Sequence, residues 1–131
     1  MGDGVIQYKN GTPVQSYNEK NAFKETAGGY GSGYCYIDGL AFDKNGNLWM
    51  TSSEVNHAVL VLDKAGAWHR LDIEQLRGVY TINDILITST NDKWIYVPRN
   101  TPKLVMIPNS ESLDEVSSYE LLHLLIPTEK N

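Results

Sequence analysis

An all-β fold, a partial β-propeller of about two and a half four-stranded antiparallel blades, is predicted by three features of this 131-residue sequence. Short strand-like runs are separated by Asn-Gly, Asp-x-x-Gly and Pro-Asn turns at close spacing, the mark of an all-β chain. Four such runs form a unit that recurs after about 45 residues, the period of a propeller blade. Tryptophans stand at matching places in the two copies, Trp49 and Trp94. On this division residues 1–26 carry the last strands of a preceding blade and residues 36–72 a complete blade. Residues 79–131 carry a following blade with an uncertain C-terminal segment.

The elements follow in order. Val5-Ile6-Gln7-Tyr8 and Val14-Gln15-Ser16-Tyr17 flank Asn10-Gly11, whose positive φ preference closes a tight hairpin. Residues 27–33, AGGYGSG, read as a connection. Leu40-Ala41-Phe42 leads through Asp43-Lys44-Asn45-Gly46-Asn47 to Leu48-Trp49-Met50-Thr51, a second hairpin. After a turn over residues 53–57 comes Ala58-Val59-Leu60-Val61-Leu62, apolar throughout, which predicts a strand covered on both faces. Asp63-Lys64-Ala65-Gly66 turns the chain into Ala67-Trp68-His69-Arg70-Leu71 and completes a four-stranded meander.

Residues 72–78 predict one short helical turn with Asp72 as N-cap and Gly78 as its end. The order then restarts with Asp84-Ile85-Leu86-Ile87, Trp94-Ile95-Tyr96-Val97 and Leu104-Val105-Met106-Ile107. Ser112-Leu113-Asp114-Glu115 carries a capping-box pattern that allows a short helix, and residues 119–125 fit either the helical or the strand period.

In this alignment Leu40 matches Leu86, a step of 46 (86 − 40), while Trp49 matches Trp94 and Val59 matches Leu104, steps of 45 (94 − 49 and 104 − 59). The second turn, Ser89-Thr90-Asn91-Asp92-Lys93, reads as one residue shorter and lacks a glycine after Asn91. A large flat side chain on the second strand fills the wedge between neighbouring blades, so packing is the expected role of Trp49 and Trp94. Trp68, on an outer strand, is expected to matter less.

Composition narrows the function. The formal charge is −5 and the basic residues are scattered, so no stripe exists to displace counterions from a nucleic-acid backbone. The longest apolar runs, residues 58–62 and 121–126, are far short of the roughly 20 residues of a membrane-spanning helix. The single cysteine, Cys35, has no intramolecular disulfide partner and reads as a packing residue. Met1-Gly2-Asp3-Gly4 shows no signal-peptide pattern, and the native protein is expected to be longer.

The stretch Gly39-Leu-Ala-Phe-Asp-Lys-Asn-Gly-Asn-Leu-Trp-Met-Thr51 resembles the repeat of the two-component-regulator propellers, found in periplasmic sensor regions of Bacteroidetes hybrid two-component proteins. Related blades occur in a propeller protein of the Bacteroidetes type IX secretion apparatus. Gly4-Val-Ile-Gln-Tyr-Lys-Asn-Gly11 is similar to the strand that follows such a motif. The second copy departs from the pattern at Lys93, where an apolar residue normally precedes the tryptophan. The resemblance implies a periplasmic or extracellular, non-catalytic module in signal transduction, serving ligand sensing or protein binding.

Candidate chemistry is sparse. Asp43-x-Asn45-Gly46-Asn47 with Glu54 resembles an EF-hand loop, but the glycine comes two positions early and strands flank it, so a hairpin turn accounts for these residues. Gly29-x-Gly31-x-Gly33 lacks the strand-before, helix-after context of a phosphate loop. His57, His69 and His123 share no metal-binding spacing, and surface histidine is the expected role of the first two. No metal, cofactor or catalytic residue is expected.

Propeller ligands sit where blade loops converge, which here gathers Tyr30, Tyr34, Tyr36, Ser53, Asn56 and His57 as candidate ligand-binding residues, the tyrosines suiting a carbohydrate. A lactonase- or lyase-like propeller enzyme is the alternative, but it needs metal ligands from several blades of a closed ring. An assembly or secretion-associated structural role is the other alternative. An open stack leaves two sheet faces uncovered, so association with other blades or with further copies is expected.

Overall fold

The computed structural model describes residues 4–18, 37–53, 57–77, 79, 81–98 and 102–120. They form an all-β structure whose only helical element is a single 3-10 turn, Glu74–Leu76. Strands β1 (Val5–Lys9) and β2 (Thr12–Tyr17) make the first hairpin. Asn10 and Gly11 both take positive φ, 52° and 80°, as an Asn-Gly turn requires.

Strands β3 (Ile37–Phe42), β4 (Leu48–Ser52), β5 (Val59–Leu62) and β6 (Trp68–Leu71) form an antiparallel meander in sequence order, the central sheet. A second four-stranded sheet, the last sheet, contains β7 (Ile85–Ile87), β8 (Lys93–Val97), β9 (Lys103–Ile107) and β10 (Tyr119–Glu120), also in meander order. The described part of the ambiguous C-terminal run is therefore a strand. The remainder, from residue 121, lies outside the described residues.

Alternation fixes which face of each strand is buried. On the central sheet Trp49, Val59 and Val61 point to one side and Met50 and Leu60 to the other; all are fully or almost fully buried. The expectation that residues 58–62 are covered on both faces holds. The first side packs against Ile85, Ile95, Val97, Val105 and Ile107 of the last sheet and forms the main core. The second side packs against Val5 and Tyr17 of the β1–β2 hairpin and against Trp68. The described residues thus form a stack of hairpin, central sheet and last sheet.

The sheets come closest along β3 and β7. A Cβ added at Gly39 would lie 3.0 Å from the Ile85 backbone nitrogen, 3.0 Å from Thr51 Oγ1 and 3.2 Å from Asp84 Cα. Glycine opens the motif because backbone passes backbone at that point.

Four expectations are corrected. The helical turn is not capped by Asp72: Ile73 precedes it in extended conformation with no side-chain cap, and Asp72 instead holds Arg77 through two hydrogen bonds of 2.7 and 2.9 Å. No helix follows Ser112; its hydroxyl accepts from the amides of Asp114 and Glu115, but the chain continues as bends into β10. The cap geometry forms without intrahelical bonds to propagate it.

The repeat is also uniform in step. Leu40 pairs with Met50 and Ile85 with Ile95, so the partner of Leu40 is Ile85, not Leu86, and the second turn is not shorter. Asn91 itself takes the glycine's place, at φ 66° against 86° for Gly46, because asparagine tolerates the left-handed region.

Candidate functional site

At one end of the stack three hairpin turns share one hydrogen-bond plan. In each, the first residue's amide donates to the carbonyl of the fifth, and the fourth amide donates back to the carbonyl of the first: Asp43 with Asn47 and Gly46, Asp63 with Ala67 and Gly66, Thr88 with Asp92 and Asn91. The first side chain accepts amides inside its own turn: Asp43 those of Asn45 and Asn47, Asp63 those of Ala65 and Ala67, Thr88 that of Asp92. Neighbouring turns within each sheet are also stapled. Asn47 Oδ1 accepts from Lys64 N at 3.1 Å and Asp92 Oδ1 from Asn109 N at 2.9 Å, the same bond one repeat later.

Asp43 is the hub of this end. Its carboxylate accepts from the amides of Asn45 and Asn47, from Asn47 Nδ2 and from the indole Nε1 of Trp49 at 2.9 Å. Burial opposes its ionisation, and these four hydrogen bonds together prevail and hold its pKa below the ordinary carboxylate value. Over the Trp49 ring, 4.6 Å from its centroid, lies the ammonium of Lys93, which donates to the Asn91 carbonyl at 2.9 Å. Lys93 is 2% exposed. Desolvation pulls its pKa down, against the pull of the Asp43 and Asp92 charges. Asn91 completes the joint between sheets, accepting from Lys44 N at 2.8 Å and donating to Asn109 Oδ1 at 2.9 Å.

His69 carries the fourth correction. Its side chain is only 16% exposed and is clasped by two carboxylates, Asp63 Oδ2 at 2.8 Å from Nε2 and Asp114 Oδ1 at 2.8 Å from Nδ1. The hydrogen bond to Asp114, then that to Asp63, raises its pKa, and the hydrogen bond to His69 is the main cause lowering that of Asp63. The clasp fastens the segment after β9 across the central sheet, where Leu113 and Val116 pack on the main core.

At the opposite end the joint runs through Ser53. Its hydroxyl donates to Asp38 Oδ2 at 2.5 Å and accepts the Ile82 amide at 3.0 Å, while its own amide donates to Asp38 at 3.2 Å. Beside it Thr51 Oγ1 donates to the Asn83 carbonyl at 3.3 Å. Ser53, picked from sequence as a ligand contact, is thus buried and bonded to the loop before β7, and His57 is half-buried at the entry to β5. Tyr30, Tyr34, Tyr36 and Asn56 lie outside the described residues. The sequence reading missed Lys93, Asn91 and His69 as joints. The signal available for Lys93 was its place on an inward face, at the repeat position of Leu48.

Two apolar surfaces stand open among the described residues. Between the β1–β2 hairpin and the central sheet is a cleft of about 630 Å³, walled by Tyr8, Tyr17, Leu40, Phe42, Leu62 and Trp68. Tyr17 meets Trp68 edge to face at 5.5 Å, and Phe42 on the cleft's rim is 69% exposed. On the outward face of the last sheet is a shallower groove of about 330 Å³, walled by Leu86, Trp94, Tyr96 and Leu104. Leu86 there is 66% exposed. Among the described residues no group of three His, Cys, Asp or Glu side chains is placed to hold a metal, and no helix is long and apolar enough to cross a membrane.

No family model and no curated protein matches the chain. Among solved structures it is similar to PorZ, an essential bacterial surface component of the type-IX secretion system of the human oral bacterium Porphyromonas gingivalis, with a TM-score of 0.77 and 18% sequence identity. The match covers 90% of this chain and 17% of PorZ, so the chain spans a small part of that protein's length. The likeness establishes the fold: an all-β, propeller-type arrangement of antiparallel sheets.

Proposed function

We propose that this chain is a non-catalytic segment of a β-propeller in a bacterial periplasmic or surface protein, working through protein contacts in an assembly of the secretion-associated kind. The observation that carries this reading is the outward face of the last sheet, where Leu86, Trp94, Tyr96 and Leu104 form an apolar surface. Contiguous apolar surface of this sort marks interaction sites on soluble proteins. The likeness to a surface component of a secretion system supports the setting, as does the resemblance of the 39–51 motif to two-component-regulator propellers. The test is a photo-crosslinking side chain in place of Tyr96, in the native protein in its own cell envelope. Crosslinks to a polypeptide support the reading, and a face that captures no polypeptide overturns it.

A sensing role is a second reading, favoured by the aromatic cleft beside Trp68. Its size suits a small ligand, and rings of Tyr8, Phe42 and Trp68 would stack on a sugar. Titration with neutral oligosaccharides, followed by tryptophan fluorescence, tests it. A saturable change lost in Phe42→Ala supports sensing, and an unchanged spectrum sinks it.

A further inference from the structure

The same tripeptide, Lys-Asn-Gly, stands at two hairpin turns: Lys9-Asn10-Gly11 and Lys44-Asn45-Gly46. Glycine has no side chain to keep its nitrogen away from the carboxamide of a preceding asparagine, so such pairs are open to attack within the chain. Matching local sequence gives the two sites similar intrinsic reactivity. The fold separates them.

Gly46 is tied down. Its amide donates to the Asp43 carbonyl at 3.2 Å, while the amides of Asn45 and Asn47 donate to Asp43 Oδ1 at 2.8 and 3.0 Å. A Cβ added at Gly46 would lie 3.4 Å from the Lys64 side chain. An N–H given to a carbonyl is shielded from the base that must remove its proton, and its nitrogen is held in place. Asn10 and Gly11, by contrast, form the exposed tip of the β1–β2 hairpin. Among the described residues no hydrogen bond holds the Asn10 carboxamide or the Gly11 nitrogen, and a Cβ added at Gly11 would meet nothing within 4 Å. Asn10 also sits at φ 52°, a left-handed conformation that favours its departure from the turn.

We propose that Asn10-Gly11 is a self-modification site, at which deamidation loosens the β1–β2 hairpin from the central sheet. The Gly11 nitrogen, having lost its proton to solvent, attacks Asn10 Cγ; the Cγ–Nδ2 bond breaks, and the leaving nitrogen takes a proton and departs as ammonia. Water then opens the cyclic succinimide at either carbonyl, giving aspartate or isoaspartate, with nothing oxidised or reduced. Both products add a negative charge. In isoaspartate the main chain runs through Cβ and Cγ and is longer by one atom, so the turn that brings Lys9 opposite Thr12 no longer closes. That hairpin lays Val5 and Tyr17 on the central sheet, and loss of its turn unseats them.

The test ages the purified 131-residue chain in mildly alkaline buffer. Peptide mass spectrometry should find deamidation at Asn10 roughly tenfold faster than at Asn45, the effect of freeing one glycine amide and bonding the other. In urea the two rates should converge. Isoaspartate at Asn10 should be detected by enzymatic methylation with a protein isoaspartyl methyltransferase. Tyr17 meets Trp68 edge to face, so the NMR shifts of the Tyr17 ring protons report the seating of the hairpin. They should move toward their unfolded values in the isoaspartate fraction and stay in place in Asn10→Gly aged alongside, because glycine keeps the turn and removes the carboxamide. Equal rates at Asn10 and Asn45 in the folded chain overturn the proposal, as do an unreactive Asn10, a rate difference that persists in urea, or unchanged Tyr17 shifts in the isoaspartate fraction.

Discussion

Single residues at the turn end of the stack carry several duties each, and their substitution separates those duties. Trp49 fills the wedge between sheets, gives its indole N–H to Asp43 and receives the Lys93 cation on its ring. Trp49→Ala is expected to cost about 3–5 kcal/mol, and Trp94→Ala less, because Trp94 is only half-buried; urea midpoints of the two variants measure the difference. Asn91→Gly poses a sharper question. Glycine relieves the positive φ, but the side chain is lost that accepts from Lys44 and donates to Asn109. The expected net result is destabilisation by about 1–2 kcal/mol, and a stabilised variant would show that backbone strain outweighs the joint. His69 makes the joint sensitive to pH. Its pKa is raised on folding, so its contribution is complete below the ordinary value of 6.5 and fades as pH rises through the folded pKa. Asp63, whose pKa is lowered, contributes above the ordinary value of 3.8 and loses that contribution as pH falls through its depressed pKa. The clasp is therefore strongest between about 4 and 6.5. Urea midpoints should fall from pH 6 toward about pH 9, and His69→Ala should flatten that slope; equal slopes in the two proteins would contradict the clasp.

Elements were legible in the sequence wherever turn chemistry and alternation agreed. Asn10-Gly11, Asp43 to Asn47 and Asp63 to Gly66 marked the hairpins, and the unbroken apolar run at 58–62 marked a strand covered on both faces. The short C-terminal elements were not legible. A capping-box pattern at Ser112 fits a turn as well as a helix start, and the side chains that decide the matter, Leu113 and Val116, act through the tertiary core. The repeat step was misjudged at one place because Leu86 and Ile85 are equally apolar; only pairing with Ile95 distinguishes them. Of the predicted ligand residues, Ser53 shows why residue type alone misleads. A loop hydroxyl near a sheet end satisfies buried amides as readily as it meets a ligand. At Gly39 the two sheets approach closely, against the backbone of Ile85. Gly39→Ala should push β3 from β7 and cost about 1–3 kcal/mol. Calorimetric melting checks this, and an unchanged midpoint would mean that the sheets give way freely there.

For the whole molecule, the far-UV circular dichroism spectrum should be that of a β-protein, since the described helix amounts to one 3-10 turn; a helix-dominated spectrum would refute the architecture. The stack also implies an order of opening. Among the described residues the central sheet is the only layer whose two faces both sit under other layers, and Met50, Val59, Leu60 and Val61 are fully buried. The β1–β2 hairpin has one covered face and a mostly exposed surface. Because each layer touches only its neighbours, the stack behaves as a one-dimensional array in which end layers can detach without the middle. Amide protons of β1 and β2 should then exchange with deuterium first. Those of β4 and β5 should exchange last, at the rate set by global unfolding. The central sheet is in that sense the clock of the molecule: its amides record how often everything else has already let go.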